Sequence, residues 1–361
     1  MVICAQDAPV SIVTSKALTK QIGYQDHITT WSFDHTGENL IIGTWKGDHY
    51  LYSLKEKRFQ NLNFSQGEIF TYDERIPRGS IVKGIIPYLD KPCFFTYSQV
   101  SPCVLYDYEK RKVVREYSVE DGEITHHEDQ IIDLLVAKNK KLLLTCSMRV
   151  YLDKRENSIE DYINFFDIET GKNLGQFQIP AWPKSFAIDP SENLLAIAYM
   201  DCIKIWDMNT IKQIKEFHDF EYFNQVKFDE RNPKTLLVSG RDRTLFLMNA
   251  QDGTILDKIP NLASMDFQMI LLDHGKKFLA RSEDGSLFLW DFETNQKELN
   301  AGRCVRLLGP NSVGFTMVLS PNEEKIAMDI GSFQSGKIII LPVRNLEILK
   351  TIDGILGLYS D

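Results

Sequence analysis

The sequence lacks the short signatures that mark zinc fingers, secreted proteins, membrane proteins and common enzymes. Its six cysteines include no C-x-x-C pair, so no metal finger is expected. The first 13 residues contain no basic segment, which argues against a signal peptide. No apolar run approaches the roughly 20 residues that a membrane span needs. G-x-S-x-G, H-E-x-x-H, P-loop and G-x-G-x-x-G motifs are all missing, so neither an enzyme nor a bound cofactor is expected.

The composition narrows the classes of partner and compartment. The 361 residues carry a formal net charge of -9, and a negative field repels phosphate backbones. Nucleic acid is therefore not expected as a partner. The scattered cysteines are interpreted as small buried hydrophobic residues, which suits a reducing compartment. A cytoplasmic location is expected, with the nucleus as the alternative.

What the sequence does contain is a repeat. Four apolar segments end on an aromatic or large apolar residue followed by Asp or Asn: Ile163–Asp167, Ile203–Asp207, Leu245–Asn249 and Leu287–Asp291. Their last residues are separated by 40, 42 and 42 positions, which is the period of a WD repeat. Apolar strands that end in turns recur in step with these segments. Each unit therefore reads as four strands joined by turns, and no stretch has helical periodicity.

These units resemble the repeats of the WD-repeat family, and the resemblance covers nearly the whole chain. In that family a Trp-Asp pair ends the third strand, an Asp lies in the turn before it and a His precedes the first strand. The residues that match are Trp206-Asp207 and Trp290-Asp291 for the pair, Asp201, Asp242 and Asp284 for the turn, and His27 and His218 for the histidine. The resemblance implies an all-β fold, a β-propeller of four-stranded antiparallel blades.

Residues 1–361 are accordingly expected to form a single WD-repeat β-propeller domain. Seven third strands are predicted: His49–Ser53, Pro102–Asp107, Tyr162–Asp167, Cys202–Asp207, Thr244–Asn249, Gly285–Asp291 and Lys337–Pro342. Further strand-like segments lie at the two ends: 2–5, 9–14, 18–22 and 354–361. They favour eight blades, the eighth being closed by N- and C-terminal strands together. Seven blades is the alternative if the terminal strands are irregular, and a part of a longer propeller array is a third.

The turns between second and third strands are the predicted recognition surface, because they share one face of a propeller. The predicted partner-binding residues are Trp45, Lys46, Met148, Tyr151, Tyr199, Arg241 and Arg243. Aromatic and arginine side chains are typical anchors of protein interfaces. The longest of these connections is a predicted loop over residues 147–161, with shorter ones at 97–101 and 331–336. Two alternatives remain: the long loop is a tolerated insertion, and Trp45 and Tyr199 pack between blades.

The functional hypothesis is a non-catalytic scaffold that binds proteins or peptides on one propeller face within a larger assembly. The alternative is a propeller enzyme or small-ligand binder with its site in the central channel, which would need titratable residues converging at the axis. A metal role for the charged run 126–129 (His-His-Glu-Asp) is not expected. Adjacent residues on an extended chain point to opposite sides, whereas metal ligands must converge.

Overall fold

In the computed structural model, antiparallel β-sheet is the main regular structure of the described residues. The structure describes residues 4–5, 8–9, 11–22, 26–62, 82–88, 90–98, 101–118, 130–152, 157–180, 183–218, 223–230, 232–240, 244–259, 268–273, 276–281, 286–291, 304–308, 313–330 and 337–348. The chain divides into two compact units. The first comprises Met1–Ala181, Val318–Asp329 and Gln334–Asn345, and the second comprises Trp182–Met317, Ile330–Phe333 and Leu346–Asp361.

The first unit begins with short elements and continues with three complete sheets. The short elements are β1 (Cys4–Ala5), β2 (Ala8–Pro9), β3 (Ser11–Thr14) and helix α1 (Ser15–Ile22). The first sheet contains β4 (Ile28–Phe33), β5 (Asn39–Thr44), β6 (His49–Ser53) and β7 (Arg58–Asn61). The second contains β8 (Val82–Tyr88), β9 (Cys93–Ser98), β10 (Ser101–Asp107) and β11 (Lys112–Tyr117). The third contains β12 (Gln130–Ala137), β13 (Leu142–Leu152), β14 (Asn157–Asp167) and β15 (Asn173–Ile179).

The second unit contains the next three sheets. They are formed by β16 (Ser185–Ile188), β17 (Leu194–Ala198), β18 (Ile203–Asp207) and β19 (Lys212–Phe217); by β20 (Phe223–Asp229), β21 (Asn232–Gly240), β22 (Leu245–Asn249) and β23 (Ile255–Ile259); and by β24 (Gln268–Leu272), β25 (Lys277–Arg281), β26 (Leu287–Asp291) and β27 (Cys304–Leu308). The last sheet, most of which belongs to the first unit, contains β28 (Val313–Leu319), β29 (Lys325–Ile330) and β30 (Lys337–Pro342), with β3 as its fourth strand. A 3-10 helix (Val343–Ile348) follows β30.

The described residues thus form seven four-stranded antiparallel sheets, which are the blades of a β-propeller. All seven predicted third strands are found as the third strands of these sheets. The favoured count of eight blades is wrong, and the alternative of seven is confirmed. The single-domain organisation stays a prediction, and the predicted C-terminal strand over residues 354–361 lies outside the described residues.

The N-terminal segment explains the difference in blade count. Residues 11–14 pair with β30, with Val13 opposite Ile338, and so supply the fourth strand of the last sheet. The predicted strand over 18–22 is instead part of α1. Thr14 caps that helix, since its Oγ1 accepts the Ala17 N–H at 3.0 Å. Leu18 is fully buried, and this anchoring lets a short helix form where a strand was expected.

Adjacent sheets within each unit are linked through their first strands as well as by apolar packing. In the first unit the Thr29 hydroxyl donates to the Val82 carbonyl at 2.9 Å. In the second unit the Val226 N–H donates to the Ser185 hydroxyl at 3.3 Å. Inner strands such as β5 are almost continuously buried, because a sheet stacked on both faces has no wet side. Their apolar runs are therefore a direct consequence of blade stacking.

The aspartates that end β14 and β18 accept hydrogen bonds from the turns that follow these third strands. Asp207 Oδ1 accepts the main-chain N–H groups of Asn209 and Thr210 at 2.9 and 2.8 Å. Asp167 accepts the N–H and hydroxyl of Thr170, and these hydrogen bonds hold the pKa of the Asp167 carboxyl below its ordinary value. A short side chain with acceptor oxygens is what such a turn requires. This requirement explains why Asp or Asn recurs with the repeat period.

One close approach between sheets of the first unit predicts a measurable cost. A Cβ added at Gly43 in β5 would lie 2.5 Å from Val82 Cγ1 in β8. Gly43→Ala is expected to lower the free energy of unfolding by about 1–3 kcal/mol, the usual cost of overpacking. Urea denaturation of Gly43→Ala, Val82→Gly and the double variant checks this, because Val82→Gly removes both the Cγ1 and the Cβ that the added methyl would meet and should relieve part of the cost. Additive single and double effects would contradict the contact.

Candidate functional site

The Trp45 turn, residues 45–48 between β5 and β6, carries two of the predicted binding residues. The Trp45 side chain is 52% exposed, and Lys46 beside it is exposed as well. Tryptophan is highly buried in most folded proteins, so this indole leaves an unusual amount of apolar surface in water. The exposure contradicts the alternative that Trp45 packs between blades.

Main-chain hydrogen bonds hold the Trp45 turn while the indole stays outside. The Trp45 N–H donates to the His27 carbonyl at 2.9 Å, and the Lys46 N–H donates to Asp26 Oδ1 at 3.3 Å. Asp26 is buried and also accepts the His27 N–H at 2.8 Å. Gly47 has a φ of 84°, a conformation that a larger residue would adopt only with strain. The exposed indole therefore stands on an ordered backbone, which reduces the entropy that a binding event must lose.

The predicted long loop over 147–161 is mostly β-structure, so that prediction is corrected. β13 and β14 run as paired strands from Leu142↔Asp167 to Leu152↔Asn157, with no shift in register. Met148 lies opposite Asp161 and Tyr151 lies opposite Ser158 in this ladder. Residues 147–152 include Val and Tyr, which favour strands, and pairing satisfies main-chain groups that a loop would leave to water. The predicted binding residues here belong to an extended hairpin.

Tyr199 and its neighbour Met200 form the turn between β17 and β18 in the second unit. Tyr199 is only 3% exposed, and the Lys204 Nζ lies 5.8 Å from the centre of its ring. Met200 is 44% exposed, and its carbonyl accepts the Phe223 N–H at 3.2 Å. In this turn the ring packs inward and the thioether side chain meets the solvent. A binding role for Tyr199 stays a prediction.

A cluster of three possible metal ligands lies beside the same turn. Cys202 precedes β18, Glu216 is in β19 and His218 follows β19. Lys204 pairs with Glu216 in the antiparallel ladder, and the same register places Cys202 opposite His218. Side chains two positions apart on a strand point to one side, so this register brings the three together. Their sulfur, carboxylate oxygen and imidazole nitrogen atoms all lie within 4.8 Å of one another.

The charges around this Cys202 cluster are partly balanced. The His218 Nε2 lies 2.9 Å from Glu216 Oε1, and the Lys204 Nζ lies 3.4 Å from the same oxygen. The Gln213 amide donates to Glu216 at 2.7 Å, and this bond leads the interactions that hold the pKa of Glu216 below its ordinary value. Burial raises the pKa of the Cys202 thiol to about 11.

Sequence reasoning missed the Cys202 cluster because its members are up to 16 residues apart and form no short motif. The signal that could have found it is the strand register, since the third and fourth strands of this repeat were both recognisable.

Several other predictions fall outside the described residues: Arg241, Arg243, Asp242, Asp284, the charged run 126–129 and the connection 331–336. Neither helix in the described part of the chain has the length and the apolar composition that a membrane span requires.

Comparison with known proteins supports the fold. No protein-family model matches the sequence. A chain in the crystal structure of a mitotic checkpoint complex is similar, with a TM-score of 0.66 and 12% sequence identity. The match covers 92% of this chain and 91% of that chain. An identity this low relates the folds alone, and a likeness over most of both chains supports the β-propeller fold of the four-stranded sheets.

Proposed function

We propose that this protein is a non-catalytic WD-repeat scaffold that binds a protein or peptide partner within a larger assembly. Two of the third strands end in a Trp-Asp pair, Trp206-Asp207 and Trp290-Asp291, as in the WD-repeat family. The similar chain belongs to a mitotic checkpoint complex, which is consistent with protein partners. Placement in the cytoplasm is part of the proposal. It is supported by free, buried thiols at Cys93, Cys103, Cys146 and Cys202.

The observation that carries this proposal is the exposed Trp45 on its hydrogen-bonded turn. Tryptophan is among the residues that contribute most to protein interfaces, because one rigid side chain buries a large apolar area. The neighbouring Lys46 supplies the charged rim that often surrounds such an anchor. The proposed partner surface is therefore centred on the Trp45 turn, and an extended peptide or a shallow apolar pocket of a folded protein would fit it.

Replacing Trp45 by alanine is expected to weaken partner binding by about 30-fold, since loss of an interface anchor costs about 2 kcal/mol. The measurement is quantitative affinity purification of the tagged full chain, followed by titration of the recovered partner. The variant should keep the wild-type free energy of unfolding within about 0.5 kcal/mol, because the indole is largely exposed.

Leu174→Ala is the matched control. Leu174 lies on β15 in the same unit and is 51% exposed, close to the 52% of Trp45, but it belongs to an outer strand. Partner recovery with Leu174→Ala should equal that of the wild type. Equal recovery with Trp45→Ala would show that the Trp45 turn is not the binding surface.

A further inference from the structure

The Cys202 cluster has the spacing of a metal site. Ligand atoms around a tetrahedral zinc ion lie roughly 3.3–3.6 Å apart, given metal–ligand bonds of roughly 2.0–2.3 Å. The three ligand atoms here lie within 4.8 Å of one another, so shifts of about 1 Å would bring them to that spacing. We propose that Cys202, Glu216 and His218 bind a transition-metal ion of the zinc class.

The donor set selects the class of metal. A thiolate sulfur and an imidazole nitrogen favour Zn²⁺ over Mg²⁺ and Ca²⁺, which prefer oxygen ligands. Three protein ligands leave one tetrahedral position open, and a water molecule fills it in such sites. The site is thus a three-ligand zinc site with an open coordination position, which is distinct from the closed four-ligand sites of metal fingers.

The fold supplies both rigidity and access. Cys202 is 5% exposed, and its position is set by the β18–β19 ladder that begins at the next residue. The Glu216 and His218 side chains are 30% and 63% exposed, so a hydrated ion reaches them from solvent. One fixed ligand with two accessible ones gives an entry path without opening the sheet. All three residues belong to the second unit.

When no metal is bound, the Lys204 ammonium pairs with the Glu216 carboxylate that would otherwise bind the metal ion. Its ammonium lies 3.4 Å from Glu216 Oε1, and its side chain is 15% exposed. A divalent ion at the cluster would take over the carboxylate and leave the lysine to the nearby Tyr199 ring. The two cations compete for one carboxylate. Removing the Lys204 charge should therefore strengthen metal binding. If the Lys204–Glu216 pair had only a structural role, the same change would destabilise the fold and would not affect metal affinity.

The experiment is a titration of the chelator-treated full chain with Co²⁺, followed by displacement with Zn²⁺. One equivalent of Co²⁺ should produce sulfur-to-cobalt charge-transfer absorption in the near ultraviolet, which reports thiolate ligation directly. His218→Ala should weaken Zn²⁺ binding by more than about tenfold, since even removal of an outer-shell partner costs about 10–100-fold. Lys204→Met should strengthen it several-fold, and Cys202→Ser should abolish the charge-transfer band.

His27→Ala is the matched control, because His27 is an exposed histidine in the first unit. It should bind Co²⁺ and Zn²⁺ as the wild type does. His218 is largely exposed, so His218→Ala is expected to fold even if Cys202→Ser does not. A wild-type chain without charge-transfer absorption would overturn the proposal. So would Zn²⁺ binding that is unchanged in His218→Ala.

Discussion

Replacing Asp34 by alanine is expected to lower the free energy of unfolding by about 3 kcal/mol, because the change leaves several buried donors without an acceptor. Asp34 is fully buried at the turn between β4 and β5. Its Oδ1 accepts the main-chain N–H groups of Glu38 and Asn39, each at 3.2 Å. Chemical denaturation monitored by intrinsic fluorescence measures the effect.

The same carboxylate also joins two sheets of the first unit. Tyr108 directly follows β10 of the second sheet. Its hydroxyl lies 3.2 Å from Asp34 Oδ2 and 2.6 Å from His35 Nδ1. Burial, reinforced by the Asp34 charge, raises the pKa of Tyr108, so the hydroxyl keeps its proton and donates it. Tyr108→Phe should cost less than Asp34→Ala, about 1 kcal/mol, because it removes one neutral hydroxyl and leaves the Glu38 and Asn39 N–H groups bonded to Asp34.

Asp252→Ala is the matched control for Asp34→Ala. Asp252 also caps a turn, accepting the N–H and hydroxyl of Thr254 at 2.9 and 2.7 Å, but its side chain is exposed. Water can replace an exposed acceptor, so this variant should lose less than about 1 kcal/mol. Equal losses for the two variants would show that burial of the Asp34 network contributes nothing.

Much of the fold was predictable because several of its turns require a short side chain that accepts hydrogen bonds from main-chain N–H groups. The third strands ended where Asp or Asn was required to accept turn amides, as at Asp167 and Asp207. Inner strands are apolar because neighbouring blades cover both of their faces, so the regularly spaced apolar segments predicted their positions. The terminal helix was not predictable in the same way. Residues 18–22 fit a short strand in composition, and the helix depends on the Thr14 cap and on burial of Leu18.

The candidate site was predictable only where local sequence decides the geometry. Trp45 could be placed in a short turn, but the main chain of that turn is held by hydrogen bonds that it donates to the distant segment 26–27. The connection around Met148 was assigned to a loop from its length, whereas continued pairing with β14 makes it a hairpin. The Cys202 cluster depends on cross-strand register, which single motifs do not encode. The position of the candidate site residues therefore depends mainly on which strands pair and in which register.

Acidification from about pH 7 to about pH 5 is expected to remove about 2 kcal/mol of stability through His49, at about 1.4 kcal/mol for each pH unit below the ordinary pKa. His49 is the first residue of β6, is 2% exposed and lies in the first unit. Its Nε2 is 2.8 Å from the Thr96 hydroxyl in the neighbouring sheet, and its ring is 5.7 Å from that of Phe94. The site therefore accommodates the neutral imidazole.

The sign of the effect follows from the shift in pKa. Burial lowers the pKa of His49 from 6.5 to about 3, and a hydrogen bond with the Gly47 main chain opposes this shift. Between these two values the unfolded chain takes up a proton and the folded chain does not. The stabilisation is complete above pH 6.5 and is lost progressively as the pH falls towards 3. Unfolding is thus favoured by acid well above the range in which carboxylates titrate.

His49→Gln separates the pH dependence of stability that arises from His49 from that of the other titratable groups. The amide can still hydrogen-bond to Thr96, but it does not titrate, so the variant should lose about 2 kcal/mol less than the wild type over the same pH interval. Urea denaturation at several pH values measures the two slopes. His27→Gln, at an exposed histidine of the same unit, should keep the wild-type slope. Parallel slopes for His49→Gln and the wild type would contradict the prediction, because they would show that the pKa of His49 is the same in the folded and unfolded chains.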